Sequence, residues 1–199
     1  MTPELAALHS GDRVLSKPEL RQSKPGRADF ATRARNPINV VLDGIRGNYN
    51  LGAIFRLCDA FLVERLIICG EESRASPHRI RKRKLVQAAS GTQHWVPWEE
   101  APDAAAVVRA AKAAGYWIAA VELTAESVPV TEMKPRFPAV LILGNELSGV
   151  SQEVLACADQ AVAIPMLGMA NSLNVATAGA IVLHELVRRL DSARLMTGR

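Results

Sequence analysis

A chain of 199 residues, 49% of them hydrophobic, is long enough for one globular domain with a substantial core and too short for two full domains. The formal net charge of +4 is a small excess, so its distribution along the chain matters more than its size. The three cysteines, Cys58, Cys69 and Cys157, are widely spaced and odd in number, which supports neither a disulfide framework nor a zinc site and predicts a reducing, cytoplasmic setting. No secretion-signal pattern opens the chain and no apolar run is long enough to span a bilayer, so we expect no membrane insertion.

Residues 1–36 are predicted to form a basic N-terminal arm that is partly helical or flexible. Arginine and lysine outnumber acids in this segment, and Arg33 and Arg35 stand at its end. Such a composition is typical of a solubilising tail and equally of a nucleic-acid contact, so both interpretations stay open. We assign residues 37–190 to the main domain and residues 191–199 to a C-terminal tail.

The main domain opens with a strand-loop-helix unit. A compact apolar strand is predicted at residues 38–42, and a helix follows at residues 51–61. Asn50 stands where an N-cap residue belongs, which gives it an adequate structural explanation. Arg56 has a weaker one, because a mid-helix arginine can extend to solvent or reach back over the ligand-facing end of the sheet. A second strand is predicted at residues 63–69.

The most basic segment of the chain follows this second strand. It contains Arg79, Arg81, Lys82, Arg83 and Lys84 and no acid after Glu72. Charge runs are usually solvated faces, yet this run follows the carboxyl end of a strand, where a parallel sheet places its other loops. We therefore predict a contact with a phosphate backbone. His94, Trp95 and Trp98 lie just beyond the run, and we interpret them as packing residues rather than base-stacking ones.

Strands and helices alternate through the rest of the domain. Helices are predicted at residues 103–114 and 151–157, strands at residues 116–121 and 139–143, and an irregular, proline-containing segment at residues 124–138. Tight hairpins are missing from the pattern. The fold class is therefore predicted to be α/β, with a mostly parallel sheet and helices on both faces.

The C-terminal part combines a strand, residues 161–164, with an uncharged loop, residues 166–171, and a helix from Ser172 to Leu190. An apolar loop is unusual unless something apolar lies on it. Asn171 or Ser172 can instead simply cap the helix, and the methionines can simply fill the core. Taken together, a strand end, an apolar loop and a polar helix start are typical of a ligand site in an open α/β sheet.

Several common sites are excluded by their missing motifs. The sequence contains no G-x-G-x-x-G fingerprint, no P-loop, no G-x-S-x-G elbow and no histidine pair at metal-ligand spacing. Three polar clusters remain, each after a predicted strand: Asn50 with Arg56, Gly144-Asn145-Glu146, and Ser172 with Asn174.

These clusters resemble the three signature motifs of the SpoU-type branch of the SPOUT RNA ribose 2′-O-methyltransferases. The matching segments are NLGAIFRLCDAF (residues 50–61), GNELSGVSQEVL (144–155) and IPMLGMANSLNVATAGAIVLHE (164–185). IPMLGM and SGTQHWV (90–96) are most similar to the members that methylate the D-loop guanosine of tRNA. Asn48 and Tyr49 depart from that group, which usually has a proline and a histidine there.

The resemblance implies 2′-O-methylation of a ribose in structured RNA, with tRNA favoured, S-adenosylmethionine as cofactor, S-adenosylhomocysteine as product and no metal. It also implies a C-terminal deep trefoil knot, the SPOUT fold, and a homodimer with active sites near the interface. The same reaction on ribosomal RNA, or a non-catalytic RNA-binding module with this fold, are the alternatives.

The resemblance also implies roles for individual residues. The reaction centre would contain Asn50, Arg56, Glu146, Ser172 and Asn174. The cofactor would contact Leu143, Gly144, Asn145, Glu146, Ile164, Pro165, Met166, Ser172, Leu173 and Asn174. The charge distribution, rather than the resemblance, predicts that RNA is held by Arg33, Arg35, Arg79, Arg81, Lys82, Arg83 and Lys84. A guanidinium has a pKa above about 12 and is a poor general base, so we assign Arg56 to stabilising the developing alkoxide and clamping phosphate, and leave the proton acceptor open.

Overall fold

The computed structural model describes Val14 and residues 16–22, 24–26, 29–30, 32–70 and 82–197. The chain divides into two compact units, Met1–Ala34 and Arg35–Arg199. The first unit contains helix α1 (Lys17–Gln22). Ser16 directly precedes this helix, and its N–H and hydroxyl donate to Glu19 Oε2 at 2.8 and 2.7 Å. Serine three residues before glutamate is the capping-box pattern, which stabilises the start of α1.

The second unit alternates strands with helices in chain order. Its strands are β1 (Asn36–Asp43), β2 (Val63–Cys69), β3 (Trp98–Ala101), β4 (Trp117–Val121), β5 (Val128–Pro129), β6 (Ala139–Gly144) and β7 (Gln160–Ala163). Its helices are α2 (Asn48–Ala60), α3 (Arg83–Ala89), α4 (Ala104–Ala113), α5 (Gln152–Leu155) and α6 (Val175–Thr197), with 3₁₀ turns at Thr92–His94 and Val130–Glu132.

These strands form a seven-stranded sheet in the order β3-β2-β1-β6-β4-β7-β5. Every paired strand in it runs parallel, which confirms the predicted parallel α/β sheet. Asp43 at the end of β1 is opposite Cys69 of β2 and Gly144 of β6. The carboxyl ends of the central strands therefore meet at one edge, and the loops that follow them share that edge.

Helices cover both faces of the sheet, as the continuous apolar strands predict. Side chains such as Val40 and Leu42 pack with Phe55 of α2 and with α3 and α6 on one face. Their neighbour Val41 packs with Val108 of α4 and with α5 on the other face. Strand side chains alternate between faces, so a strand buried on both sides is apolar at every position, as Val40, Val41 and Leu42 are.

Two short strands were not predicted from the sequence. β3 has the sequence WEEA, and its two glutamates are exposed because it is an edge strand. β5 has only two residues, one of them a proline, and lies in the segment predicted to be irregular. Edge strands tolerate charged residues and proline because one side of their backbone needs no hydrogen-bond partner. They therefore lack the continuous apolar run from which the other strands were predicted.

Helix boundaries correct two further predictions. α2 begins at Asn48 after Gly47, so the prediction that Asn50 is its N-cap was wrong. α6 begins at Val175, three positions after the predicted start, because Asn174 is the residue whose side chain accepts the first free N–H groups. This helix continues to Thr197 and so includes most of the segment assigned to a tail. Among the described residues, no helix is both long and apolar enough to cross a bilayer.

Candidate active site

A cleft of about 660 Å³ opens at the carboxyl ends of β6, β4 and β7. Its walls come from the ends of these strands, from residues 145–149 after β6, and from residues 171–175 before and at the start of α6. Ligand sites in open parallel sheets lie at this edge, and the volume is in the range of small-molecule sites.

The loop after β6 is held in shape by its own amide groups. Asn145 and Gly149 exchange backbone hydrogen bonds of 2.9 Å, and Asn145 Oδ1 accepts from the N–H groups of Leu147 and Ser148. Asn145 Nδ2 donates to the carbonyl of Gly44 after β1. A side chain on Gly144 would collide with the backbone of Gly149 and Val150, so the tight approach of the loop requires glycine there.

Glu146 joins this loop to the start of α2. Its Oε1 accepts from Gly47 N–H at 2.9 Å and from Asn50 Nδ2 at 2.8 Å, and its Oε2 accepts from Arg46 N–H at 3.1 Å. Partial burial raises the pKa of Glu146, but the hydrogen bonds from Asn50 and from the backbone outweigh burial and lower the pKa overall. Glu146 is therefore ionised at neutral pH and anchors the loop as a carboxylate.

Asn50 joins the same network to α6. Asn174 Nδ2 donates to Asn50 Oδ1 at 2.9 Å, while Asn174 Oδ1 accepts from Ala176 N–H at 3.0 Å and caps α6. The Asn50 amide thus has an acceptor, Glu146, on its nitrogen side and a donor, Asn174, on its oxygen side. This fixes its orientation, because a flipped amide would face like groups at both ends. Three segments far apart in sequence are held together by these two bonds.

Most residues predicted for the cofactor and reaction centre line the cleft. Those that line it are Asn50, Leu143, Gly144, Asn145, Glu146, Ile164, Met166, Ser172, Leu173 and Asn174. Pro165 does not line the cleft. In the uncharged loop only the ends, Met166 and Asn171, reach it, while Leu167 and Met169 are fully exposed.

Arg56 lies apart from this group. It is exposed on α2, does not line the cleft, and has no hydrogen-bond or ion-pair partner among the residues that the structure describes. It is six residues beyond Asn50, which in a helix corresponds to about 9 Å along the axis. A free guanidinium at this position can contact an external anion.

The residues predicted to contact RNA have different surroundings. Lys82, Arg83 and Lys84 are exposed at the start of α3, and Arg33 is exposed in the first unit. Arg35 donates to the carbonyls of Val63 and Trp95 at 3.0 and 3.1 Å, so part of its guanidinium joins two segments of the protein. Arg79 and Arg81 lie outside the described residues.

One cleft residue, Glu122, was not singled out in the sequence. It directly follows β4, and its carboxylate accepts from Val150 N–H at 2.8 Å and from Leu123 N–H at 3.0 Å. The available signal was a polar residue at the carboxyl end of a buried strand, the same signal that identified Asn145 and Glu146. With Glu146 it makes the cleft acidic, since no lysine or arginine is among the described residues that line it.

The parallel sheet, the cleft at its carboxyl edge and the three linked polar segments define an α/β ligand-binding domain of the kind found in enzymes. The sequence profile of the SpoU rRNA Methylase family matches residues 37–184. The chain belongs to this family, which confirms the resemblance found in the three motifs.

Curated and solved relatives agree with the family. The chain is 36% identical over 153 residues to the tRNA (guanosine(18)-2′-O)-methyltransferase of Aquifex aeolicus strain VF5, covering 76% of this chain and 69% of that protein. The crystal structure of the A. aeolicus TrmH/SpoU tRNA modifying enzyme is similar with a TM-score of 0.72 and 32% identity, over 85% of this chain and 81% of that one. An AdoMet-bound rRNA methyltransferase from Sinorhizobium meliloti is similar with a TM-score of 0.70 and 31% identity, over 81% of this chain and 60% of that one.

Proposed function

We propose that this protein transfers the methyl group of S-adenosylmethionine to the 2′-hydroxyl of a ribose in tRNA, a guanosine ribose in particular. The observation that carries the proposal is the linkage of Glu146, Asn50 and Asn174 beside one ligand-sized cleft in a member of this family. The relative named as a tRNA (guanosine(18)-2′-O)-methyltransferase and the solved tRNA modifying enzyme favour tRNA. Ribosomal RNA is the second candidate, because the family description and the S. meliloti enzyme both name it.

The cleft fits S-adenosylmethionine in shape and charge. Leu143, Val162, Ile164 and Val175 provide apolar walls for an adenosyl group. The lining carboxylates Glu122 and Glu146 favour a ligand with a positive sulfonium centre over an anionic nucleotide. When bound, S-adenosylmethionine supplies an electrophilic methyl group.

The chain's own residues orient and stabilise the acceptor. The Asn50 amide, locked between Glu146 and Asn174, presents fixed dipoles at the wall of the cleft. Ser172 lines the cleft and has no hydrogen-bond partner within the described part of the chain, so its hydroxyl is available to the ribose. Glu146 is a weak base because its pKa is lowered, and we assign it to positioning rather than to accepting the proton.

We further propose that two copies of the chain form the working enzyme. Leu147 lines the cleft, Leu167 and Met169 closely follow the cleft residue Met166 in sequence, and the three are 89%, 100% and 100% exposed, which suits a second copy. Arg56 lies outside the cleft of its own chain, so we assign it to the cleft of the partner copy, where it stabilises the alkoxide and clamps a phosphate of the RNA.

We also propose the deep trefoil knot for the C-terminal segment and the cytoplasm as the compartment where the enzyme meets tRNA. β7 lies beyond β4 toward the edge of the sheet, yet α6 packs back over β6 and against α2. Residues 164–174 make this return and are the segment proposed to thread. An experimental electron-density trace of residues 120–180 tests the threading directly.

Methyl transfer to a defined nucleotide tests the proposed reaction. The full chain is incubated with methyl-labelled S-adenosylmethionine and either an unmodified tRNA transcript or ribosomal RNA fragments. The 2′-O-methylated nucleotides are identified by mass spectrometry after nuclease digestion. A transcript with 2′-deoxyguanosine at the labelled position is the matched control and should accept no label. Label in ribosomal RNA fragments alone would move the substrate to ribosomal RNA, and the absence of label in every RNA would contradict the reaction.

A further inference from the structure

Glu122 occupies a central position in the cleft. It directly follows β4, which lies between β6 and β7, the two other strands whose ends form the floor of the cleft. Its side chain is half-buried and lines the same cavity as Asn50 and Glu146. A ligand that fills the cleft can therefore contact this carboxylate.

The carboxylate of Glu122 has spare acceptor capacity. An ionised carboxylate can accept about four hydrogen bonds. Glu122 accepts two, one at Oε2 from Val150 N–H and one at Oε1 from Leu123 N–H, so each oxygen has one further position. It forms no ion pair with a described residue. Glu146, the other acid of the cleft, already accepts three hydrogen bonds.

We propose that Glu122 binds the 2′- and 3′-hydroxyls of the adenosyl ribose and so determines the cleft's preference for a ribonucleoside ligand; this rests on the proposed function. A vicinal diol offers two O–H donors at the spacing of one carboxylate, which matches the two open positions. Acids at the carboxyl end of a strand bind ribose hydroxyls by the same chemistry in dinucleotide-binding sheets. The charge also favours the cationic cofactor over its neutral product.

Glu122 has a second role, which must be separated from the first. Its bond to Val150 N–H anchors the loop after β6, and a side chain on Gly149 would collide with its carboxylate. Asp43 anchors the same loop from β1, because its Oδ2 accepts from Ser151 N–H at 2.8 Å. Asp43 does not line the cleft. Asp43→Asn therefore makes the same carboxylate-to-amide change at a comparable loop anchor without changing a carboxylate that lines the cleft.

Calorimetric binding of S-adenosylhomocysteine and of its 2′-deoxy and 3′-deoxy forms to the full chain tests the proposal. Glu122→Gln keeps an oxygen for Val150 N–H but replaces the other oxygen with an NH₂ group. We expect it to weaken S-adenosylhomocysteine roughly 10- to 100-fold, the scale for hydrogen bonds to a charged group, and to weaken each deoxy form, which keeps one of the two hydroxyls, by a smaller factor. Asp43→Asn should affect all three ligands equally. Circular dichroism checks that both variants fold.

The contrary outcomes are distinct from one another. Equal weakening of all three ligands by Glu122→Gln would overturn the proposal and leave Glu122 as a loop anchor. 5′-Methylthioadenosine has the diol but no amino acid. If Glu122→Gln weakens S-adenosylhomocysteine but not 5′-methylthioadenosine, the carboxylate binds the ammonium group, and this result would also overturn the proposal. If the wild-type chain binds neither S-adenosylmethionine nor S-adenosylhomocysteine, the proposed function fails and this assignment fails with it.

Discussion

Asn174 performs two tasks that two substitutions can separate. Its oxygen caps α6 through Ala176 N–H, and its nitrogen donates to Asn50 Oδ1. Asn174→Ala removes both. Losing an N-cap costs about 1 kcal/mol, and losing an exposed side-chain hydrogen bond costs about 0.5 kcal/mol more. The sum, about 1.5 kcal/mol, lowers the Tm of a chain this size by roughly 3–6 °C.

Asn174→Asp removes only the second task. Aspartate caps a helix as well as asparagine does, and its charge is favourable at a helix N-terminus, so the Tm should change by less than about 2 °C. The introduced carboxylate has no proton to donate to Asn50 Oδ1, and it faces that oxygen with a second acceptor instead. The Asn50 amide should therefore lose its fixed orientation while α6 keeps its cap.

Differential scanning calorimetry and steady-state methylation, run on both variants, measure the two effects. We expect the aspartate variant to be folded and stable while its kcat/KM falls roughly 10- to 100-fold, the scale of one to two misplaced hydrogen bonds in a reaction centre. Wild-type turnover in the aspartate variant would show that the bond to Asn50 has no part in catalysis. An unchanged Tm in the alanine variant would refute the cap.

Three further perturbations have defined outcomes. Arg56→Ala should lower kcat by at least roughly 10²-fold, and an equal mixture with the folded Asn174→Asp variant should regain part of the activity if Arg56 acts across two copies. Replacing residues 82–84 with glutamine should weaken tRNA binding and flatten its dependence on salt. Hydrogen bonds from Arg188, and then from Arg189, lower the pKa of Glu185 to about 2 despite its partial burial. A lowered pKa stabilises the fold above the carboxylate's usual pKa, so the stability advantage of wild type over Glu185→Gln should be lost as pH falls from about 4.5 towards about 2.

Each of these has a control or a contrary result. Arg65→Ala removes an exposed arginine that pairs with Glu99 on the surface and should leave kcat unchanged. Arg109→Gln is the control for residues 82–84. It removes a charge from α4, which covers the face of the sheet opposite α3, and it should leave tRNA affinity and its salt dependence as in wild type. An equal loss of affinity in both charge variants would contradict a specific contact at residues 82–84. A stability advantage that persists at pH 2 would contradict the role of Glu185.

The sequence predicts the helices and strands that have a clear apolar pattern, and it predicts which polar residues follow the strands. β6 is buried and apolar at every position, and so is the run Val40, Val41 and Leu42 of β1, so the sequence shows where these strands lie. Glycine and polar residues after those ends indicate the loops at the carboxyl edge. The parallel sheet and most of the cleft lining follow from these two signals.

The predictions from sequence are wrong or incomplete where a residue's role depends on contacts that the local sequence pattern does not show. Asn50 has the spacing of an N-cap, but its side chain bonds Glu146 and Asn174, which are 96 and 124 positions away. No window of sequence contains such partners. Leu173 continues the apolar period of α6, yet the helix begins only after Asn174, where a side-chain oxygen meets free N–H groups. Glu122 was missed because an acid after a strand is common, and only the fold brings it to the cleft.

Gly52 allows α2 and α3 to pack closely, and this packing bears on which nucleotide the proposed enzyme would methylate. A side chain on Gly52 would meet the carbonyl of Leu85, and would lie 2.8 Å from Ala88 Cβ and 3.0 Å from Ala89 N, so the two helices touch through their backbones. α3 begins with the exposed cations of residues 82–84, and α2 begins beside Asn50. The contact therefore fixes the distance between the proposed RNA contact at residues 82–84 and the proposed reaction centre at Asn50. We expect a longer side chain at this position to change that distance, and with it the nucleotide methylated, while both groups of residues stay unchanged.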